Sequence, residues 1–94
     1  MKPRYFKCPN GRSYRIIDRP IDAFTSESSK FHIETLVKSD EVEDMIFKKY
    51  YPDGRWEFLQ DCETLIDALS TLCLFNHHRV DVAWIQQFET TDNN

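Results

Sequence analysis

Apolar and polar residues alternate with a period of two through residues 31–38, with Phe31, Ile33, Thr35 and Val37 on one side and His32, Glu34, Leu36 and Lys38 on the other. That pattern predicts a strand with one wet face, and it puts His32 on the wet side. Val80, Val82 and Trp84 against Asp81, Ala83 and Ile85 repeat it, so residues 80–88 read as a last strand returning to the sheet. A helix capped by Asp81 is the alternative there.

Between residues 62 and 75 the period lengthens. Leu65, Ile66, Leu69, Leu72 and Cys73 share one face of a helix, Glu63, Thr64, Asp67 and Thr71 take the other, and Asp61 stands where an N-cap belongs. Leu74 and Phe75 fall off the apolar face, so either the helix ends at them or they form a small exposed patch.

The two glycines lie in similar settings, CPNGR at residues 8–12 and YPDGR at residues 51–55. Pro followed by Asp or Asn suits the centre of a type I turn, and Gly then supplies the positive φ of a following bulge. Two hairpins are expected. In the second, Tyr50 would face Trp56 and Lys49 would face Glu57; in the first, Phe6 would face Tyr14, unless Asn10 and Gly11 form a two-residue turn and shift the pairing. A helix over residues 42–50 would set Lys49 in the middle of its apolar arc, so the strand is preferred. The flanks of the two motifs do not otherwise match, which makes them a recurring turn and not a duplicated unit. Residues 18–30, DRPIDAFTSESSK, read as a connecting loop with Ile21 and Phe24 tucked beneath it.

These elements assemble into an α+β domain: hairpin, loop, strand, hairpin, helix, strand. An antiparallel sheet of about five or six strands packs one face on the helix near residues 62–75. A chain of 94 residues with 40% hydrophobic content supports one core, so residues 1–94 are read as a single domain. Its parts are a basic hairpin (1–19), an acidic body (20–88) and a frayed tail (89–94).

Charge sharpens that division. Residues 1–19 carry six basic side chains against Asp18 alone, a balance of +5, and the remaining six basic and fifteen acidic groups leave −9 on residues 20–94. Arg4, Tyr5, Lys7, Arg12, Tyr14 and Arg15 interleave basic and aromatic groups as nucleic-acid surfaces do. A net charge of −4 and a pI near 5.3 weigh against that use. No apolar run follows the N-terminal charges and none reaches the length of a membrane span, which points to a cytoplasmic chain without membrane contact. Cys8, Cys62 and Cys73 are odd in number and lack a CxxC spacing, as expected of free thiols in a reducing compartment.

Candidate chemistry is sparse. With both glycines in turns, there is no GxGxxG or GxxxxGK[ST] phosphate cradle; GxSxG is also missing, and no cofactor is expected. Cys62 in a first helical turn would have a dipole-favoured thiolate, but Cys73 lies about 16 Å further along the same helix, too far for a shared metal or a disulfide. His77, His78 and Arg79 suit the carbonyl end of that helix, and a metal there would need His32 or Cys8 to converge on them. The run SDEVED holds Asp40, Glu41, Glu43 and Asp44, which reads as a solvated, capped turn or an acidic docking surface.

The function expected is therefore that of a small, non-catalytic protein-binding module, an inhibitor, adaptor or regulator of a larger protein, with a homodimer as one form it can take. The candidate contacts are Asp40, Glu41, Glu43, Asp44, Tyr51, Arg55 and Trp56. Nucleic-acid binding by the basic hairpin is the alternative.

Overall fold

The strand read from the period of two becomes a central strand of the sheet. In the computed structural model, which describes residues 2–19 and 30–91, five antiparallel strands lie in the order β4-β3-β2-β1-β5. Their spans are Arg4–Lys7 (β1), Ser13–Arg19 (β2), Lys30–Val37 (β3), Arg55–Cys62 (β4) and Glu89–Thr90 (β5). Three helices, Met45–Tyr50 (α1), Leu65–Phe75 (α2) and Val82–Gln86 (α3), and a 3-10 turn at Ser39–Glu41 complete the elements of the described residues. This is the α+β class expected, with one main helix on an antiparallel sheet. The loop proposed for residues 18–30, with Ile21 and Phe24 beneath it, lies largely outside the described residues.

One sheet face is the core. Phe6, Tyr14, Ile16 and Ile33 are buried against Ala68, Leu69, Leu72 and Cys73 of α2 and Ile85 of α3. Thr35 lies on the same face and satisfies its hydroxyl by donating to the Ser13 carbonyl at 3.0 Å. The first hairpin has the register that opposes Phe6 and Tyr14.

The second hairpin does not form. Residues 45–50 coil into α1 because the Asp44 carboxylate caps it, accepting from the Ile46 and Phe47 amides at 2.8 and 3.4 Å. β4 pairs instead with β3, which sets Leu36 opposite Trp56 and Thr35 opposite Glu57. Pro52, Asp53 and Gly54 still turn the chain, closed by the Gly54 amide on the Tyr51 carbonyl at 2.9 Å, but the turn joins a helix to a strand. Lys49 in an apolar arc is no obstacle, since no residue of α1 is buried.

Four further expectations change. Asp61 is not a helix cap: β4 runs on to Cys62, opposite Phe31, and α2 starts at the Thr64 cap, whose hydroxyl accepts from the Asp67 amide at 3.0 Å. The buried arc of α2 is centred about 40° from the one read in sequence, toward Ala68. Ile66 is therefore 58% exposed, while Phe75 turns inward and stacks on Tyr14 with ring centroids 5.8 Å apart. Leu74 remains outside, 59% exposed. Residues 82–86 form a helix, not a strand, because the Asp81 carboxylate accepts from the Trp84 amide and Ile85 turns into the core. Glu89 and Thr90, read as the start of a frayed tail, pair with Phe6 and Tyr5 as β5.

The helix α2 ends in a reversal of the chain, with the His78 amide on the Cys73 carbonyl and the His77 amide on the Leu74 carbonyl, both at 3.0 Å. Asn10 ties the first turn to this end: its backbone amide donates to Asn76 Oδ1, and its side-chain amide donates to the Phe75 carbonyl and the Tyr14 hydroxyl.

The two glycines predict unequal outcomes. Both have positive φ, 85° at Gly11 and 91° at Gly54, but a Cβ at Gly54 would stand 2.5 Å from the Val37 carbonyl oxygen while one at Gly11 meets open space. Denaturant unfolding is expected to show Gly54→Ala costing about 3 kcal/mol and Gly11→Ala about 1 kcal/mol.

Candidate interaction site

The turn chemistry that makes α1 also leaves it outside the core. Met45, Ile46 and Tyr50 are exposed to 75%, 67% and 67%, and Ile46 and Tyr50 share one face a turn apart. Only Phe47 turns inward, with its ring 5.2 Å from that of Tyr51. The Arg55 guanidinium lies over both rings, 5.4 Å from Phe47 and 4.9 Å from Tyr51, and bonds Glu57 at 2.6 Å. That bond to Glu57 raises the Arg55 pKa further, so its charge is permanent. Tyr51 and Arg55 thus fasten α1 to the start of β4.

Trp56, the third hairpin candidate, belongs to another surface. It lies on the sheet face opposite the core, where the Arg15 guanidinium sits 4.6 Å above its ring and Tyr5 is 5.9 Å away. His32 continues that face, 4.5 Å from the Phe58 ring, with Nδ1 at 2.9 Å from Asp61 and Nε2 at 3.5 Å from Glu34. Phe58 is 53% exposed.

The four carboxylates divide by role. Asp44 caps α1, and Glu41 accepts from the Lys38 amide and faces Arg12, each at 3.4 Å. Asp40 and Glu43 are exposed and have no ion pair among the described residues. The run is therefore a capped turn that presents two carboxylates beside the apolar side chains of α1. Sequence reasoning missed Met45, Ile46 and Tyr50; the available signal was Asp44 followed by an i, i+4 apolar pair.

Three arginines of the basic hairpin are engaged by carboxylates from elsewhere in the chain. Arg4 makes a two-pronged bond to Glu89 at 2.8 and 2.6 Å, Arg15 pairs with Glu34, and Arg12 with Glu41. Tyr14 is buried and Tyr5 half-buried, while Lys7 is exposed with no ion pair among the described residues. Phosphate binding would have to displace these carboxylates.

All three cysteines are buried and unpaired. Cys62 ends a strand, 3.7 Å from the Thr71 hydroxyl, and does not lie in the first turn of a helix. Burial raises the pKa of Cys8, which disfavours a nucleophile there. Of the histidines, His78 stacks on Trp84 at 3.7 Å and His77 is exposed at the end of α2, whereas His32 lies on the far face of the sheet. Among the described residues no helix is long and apolar enough to cross a membrane.

Comparison with family models, curated proteins and solved structures finds no match to this chain.

The Arg4 bond holds the Glu89 carboxyl below its ordinary pKa. A depressed carboxyl stabilises the fold above its unfolded pKa and loses that contribution as pH falls through the folded one. Glu89→Gln is expected to cost about 0.5 kcal/mol near neutral pH and almost nothing once the pH has fallen below the folded pKa of Glu89, read from urea unfolding along a pH series.

Proposed function

We propose that this chain is a non-catalytic protein-binding module whose contact surface is the outward face of α1 with the acidic turn before it. The observation that carries the reading is a six-residue helix in which Met45, Ile46 and Tyr50 all face outward, although nothing in the core needs the helix there. Exposed apolar side chains grouped on one short element, and held in place by the Arg55 stack, are what a partner's apolar groove would take. Asp40 and Glu43 at its rim favour a partner with basic residues around that groove. In this reading Glu41, Asp44, Tyr51 and Arg55 shape the surface, and Trp56 has no part in it.

An inhibitor, adaptor or regulator fits this description, because each acts by occupying a surface of a larger protein. The engagement of Arg4, Arg12 and Arg15 by carboxylates supports a protein partner over nucleic acid.

Affinity recovery from lysate of the source cells, with and without nuclease, tests the reading when wild type is compared with a Met45→Ser, Ile46→Ser double variant. The expected result is one protein at near-stoichiometric level, insensitive to nuclease and lowered at least about tenfold by the variant, with Tm unchanged since both side chains are exposed. Should sedimentation of the pure protein reveal a dimer that the variant dissolves, the partner is a second copy. Equal recovery by both chains, or recovery that nuclease abolishes, overturns the proposal.

A further inference from the structure

The core face of the sheet is not fully covered by its helices. Beyond the C-terminal end of α2 it opens into a cleft of about 580 Å³, bounded by the first turn, the β2, β3 and β4 strands and the end of the helix. Its volume lies in the range of small-molecule sites, roughly 300 to 1,000 Å³. Val37, Leu59 and Phe75 supply apolar wall, and Phe75 is held by its stack on Tyr14. Asn10, tied to Asn76 and the Phe75 carbonyl, fixes the rim where the turn meets the helix.

Three hydrogen-bond donors border this wall. Arg12 is exposed on the cleft side, and its one ion pair among the described residues is the long 3.4 Å contact with Glu41, whose place a ligand carboxylate would take. The Tyr14 hydroxyl accepts from the Asn10 amide at 2.8 Å and keeps its own proton to give. The His77 imidazole has no hydrogen-bond partner among the described residues. Glu57 also lines the cleft, but its charge is opposed by Arg55 at 2.6 Å. With Glu57 held by the short bond to Arg55 and Arg12 by the longer one to Glu41, the weakly engaged groups at the cleft are donors, which suits an anionic ligand.

His77 carries a second and independent sign. It occupies the left-handed position that ends α2, with φ of +55°, where glycine is the usual residue and a side chain is strained. Nothing in the helix termination needs an imidazole, since its bonds use backbone atoms. The side chain therefore stands there at a conformational cost, and it borders the cleft.

We propose that the cleft binds a small organic anion, a carboxylate with a flat apolar body that lies on Val37, Leu59 and Phe75 while Arg12, Tyr14 and His77 take the carboxylate. No residue of the α1 surface lines this cleft, and the two meet through the Arg12–Glu41 pair.

The test is an amide-resolved NMR titration of the full chain with 2-naphthoate and, as its uncharged counterpart, 2-naphthylmethanol. Saturable shifts at the Arg12, Tyr14, Phe75 and His77 amides are expected with naphthoate, with naphthylmethanol at least about tenfold weaker. Arg12→Gln should weaken naphthoate about tenfold, and His77→Gly about fivefold while raising Tm by about 4 °C. That opposite movement of binding and stability is what a merely structural His77 would not give. The Met45→Ser, Ile46→Ser variant should bind naphthoate as wild type does, which keeps this result distinct from the partner test. Equal affinity for the two probes, no saturable shift at these amides in the low millimolar range, or His77→Gly without effect on naphthoate overturns the proposal.

Discussion

The structure depends on covering one apolar face of a wide sheet with little helix. Five strands about 4.8 Å apart span roughly 20 Å, while the eleven residues of α2 reach about 16 Å and are about 10 Å across. Such a helix can seal Phe6, Ile16 and Ile33 through Leu69, Leu72 and Cys73, and the five-residue α3 adds Ile85 beside it. Ala68 lets α2 sit close to the strands. What the helices cannot reach is left as the cleft by Val37, Leu59 and Phe75, and the reverse face of the sheet is left to side chains alone.

That reverse face manages its exposure through pairing. Arg15 lies between Glu34 and the Trp56 ring, and His32 between Glu34, Asp61 and the Phe58 ring, so charged and aromatic groups shield one another where no helix of the described residues covers them. The division of the chain into basic and acidic stretches has the same purpose. Arg4 meets Glu89 and Arg12 meets Glu41, pairs that join the first hairpin to segments 85 and 29 residues away in sequence. With Arg15 on Glu34, three of the hairpin's basic side chains are matched by carboxylates from the rest of the chain.

The class of the fold was legible because the strand at residues 30–37 and the helix at 65–75 repeat their periods over several turns of pattern. Short elements were not. Residues 45–50 and 82–86 hold too few positions to separate a period of two from one of 3.6, and their fate was decided by Asp44 and Asp81, single capping carboxylates acting on backbone amides. Competition misled in the same way at Asp61 and Thr64, since both residue types cap well and only the pairing of Cys62 with Phe31 extends β4 past the first. Of the candidate surface, the acidic run and the Tyr51 and Arg55 pair were visible in sequence. The apolar members Met45, Ile46 and Tyr50 were hidden by a strand assignment that paired them away, and the cleft by its assembly from residues far apart along the chain.

The short strand β5 has a consequence for how the chain folds. Because Tyr5 and Phe6 pair with Thr90 and Glu89, one side of β1 stays bare until the segment near residue 90 has been synthesised and has left the ribosome. Until then β1 is an edge with unsatisfied amides and carbonyls, on a strand that carries Phe6, one of the largest fully buried side chains. A nascent chain can assemble β2, β3, β4 and α2 early, but closure of the sheet is a late and long-range event, so the window for wrong strand pairing lies in its last steps.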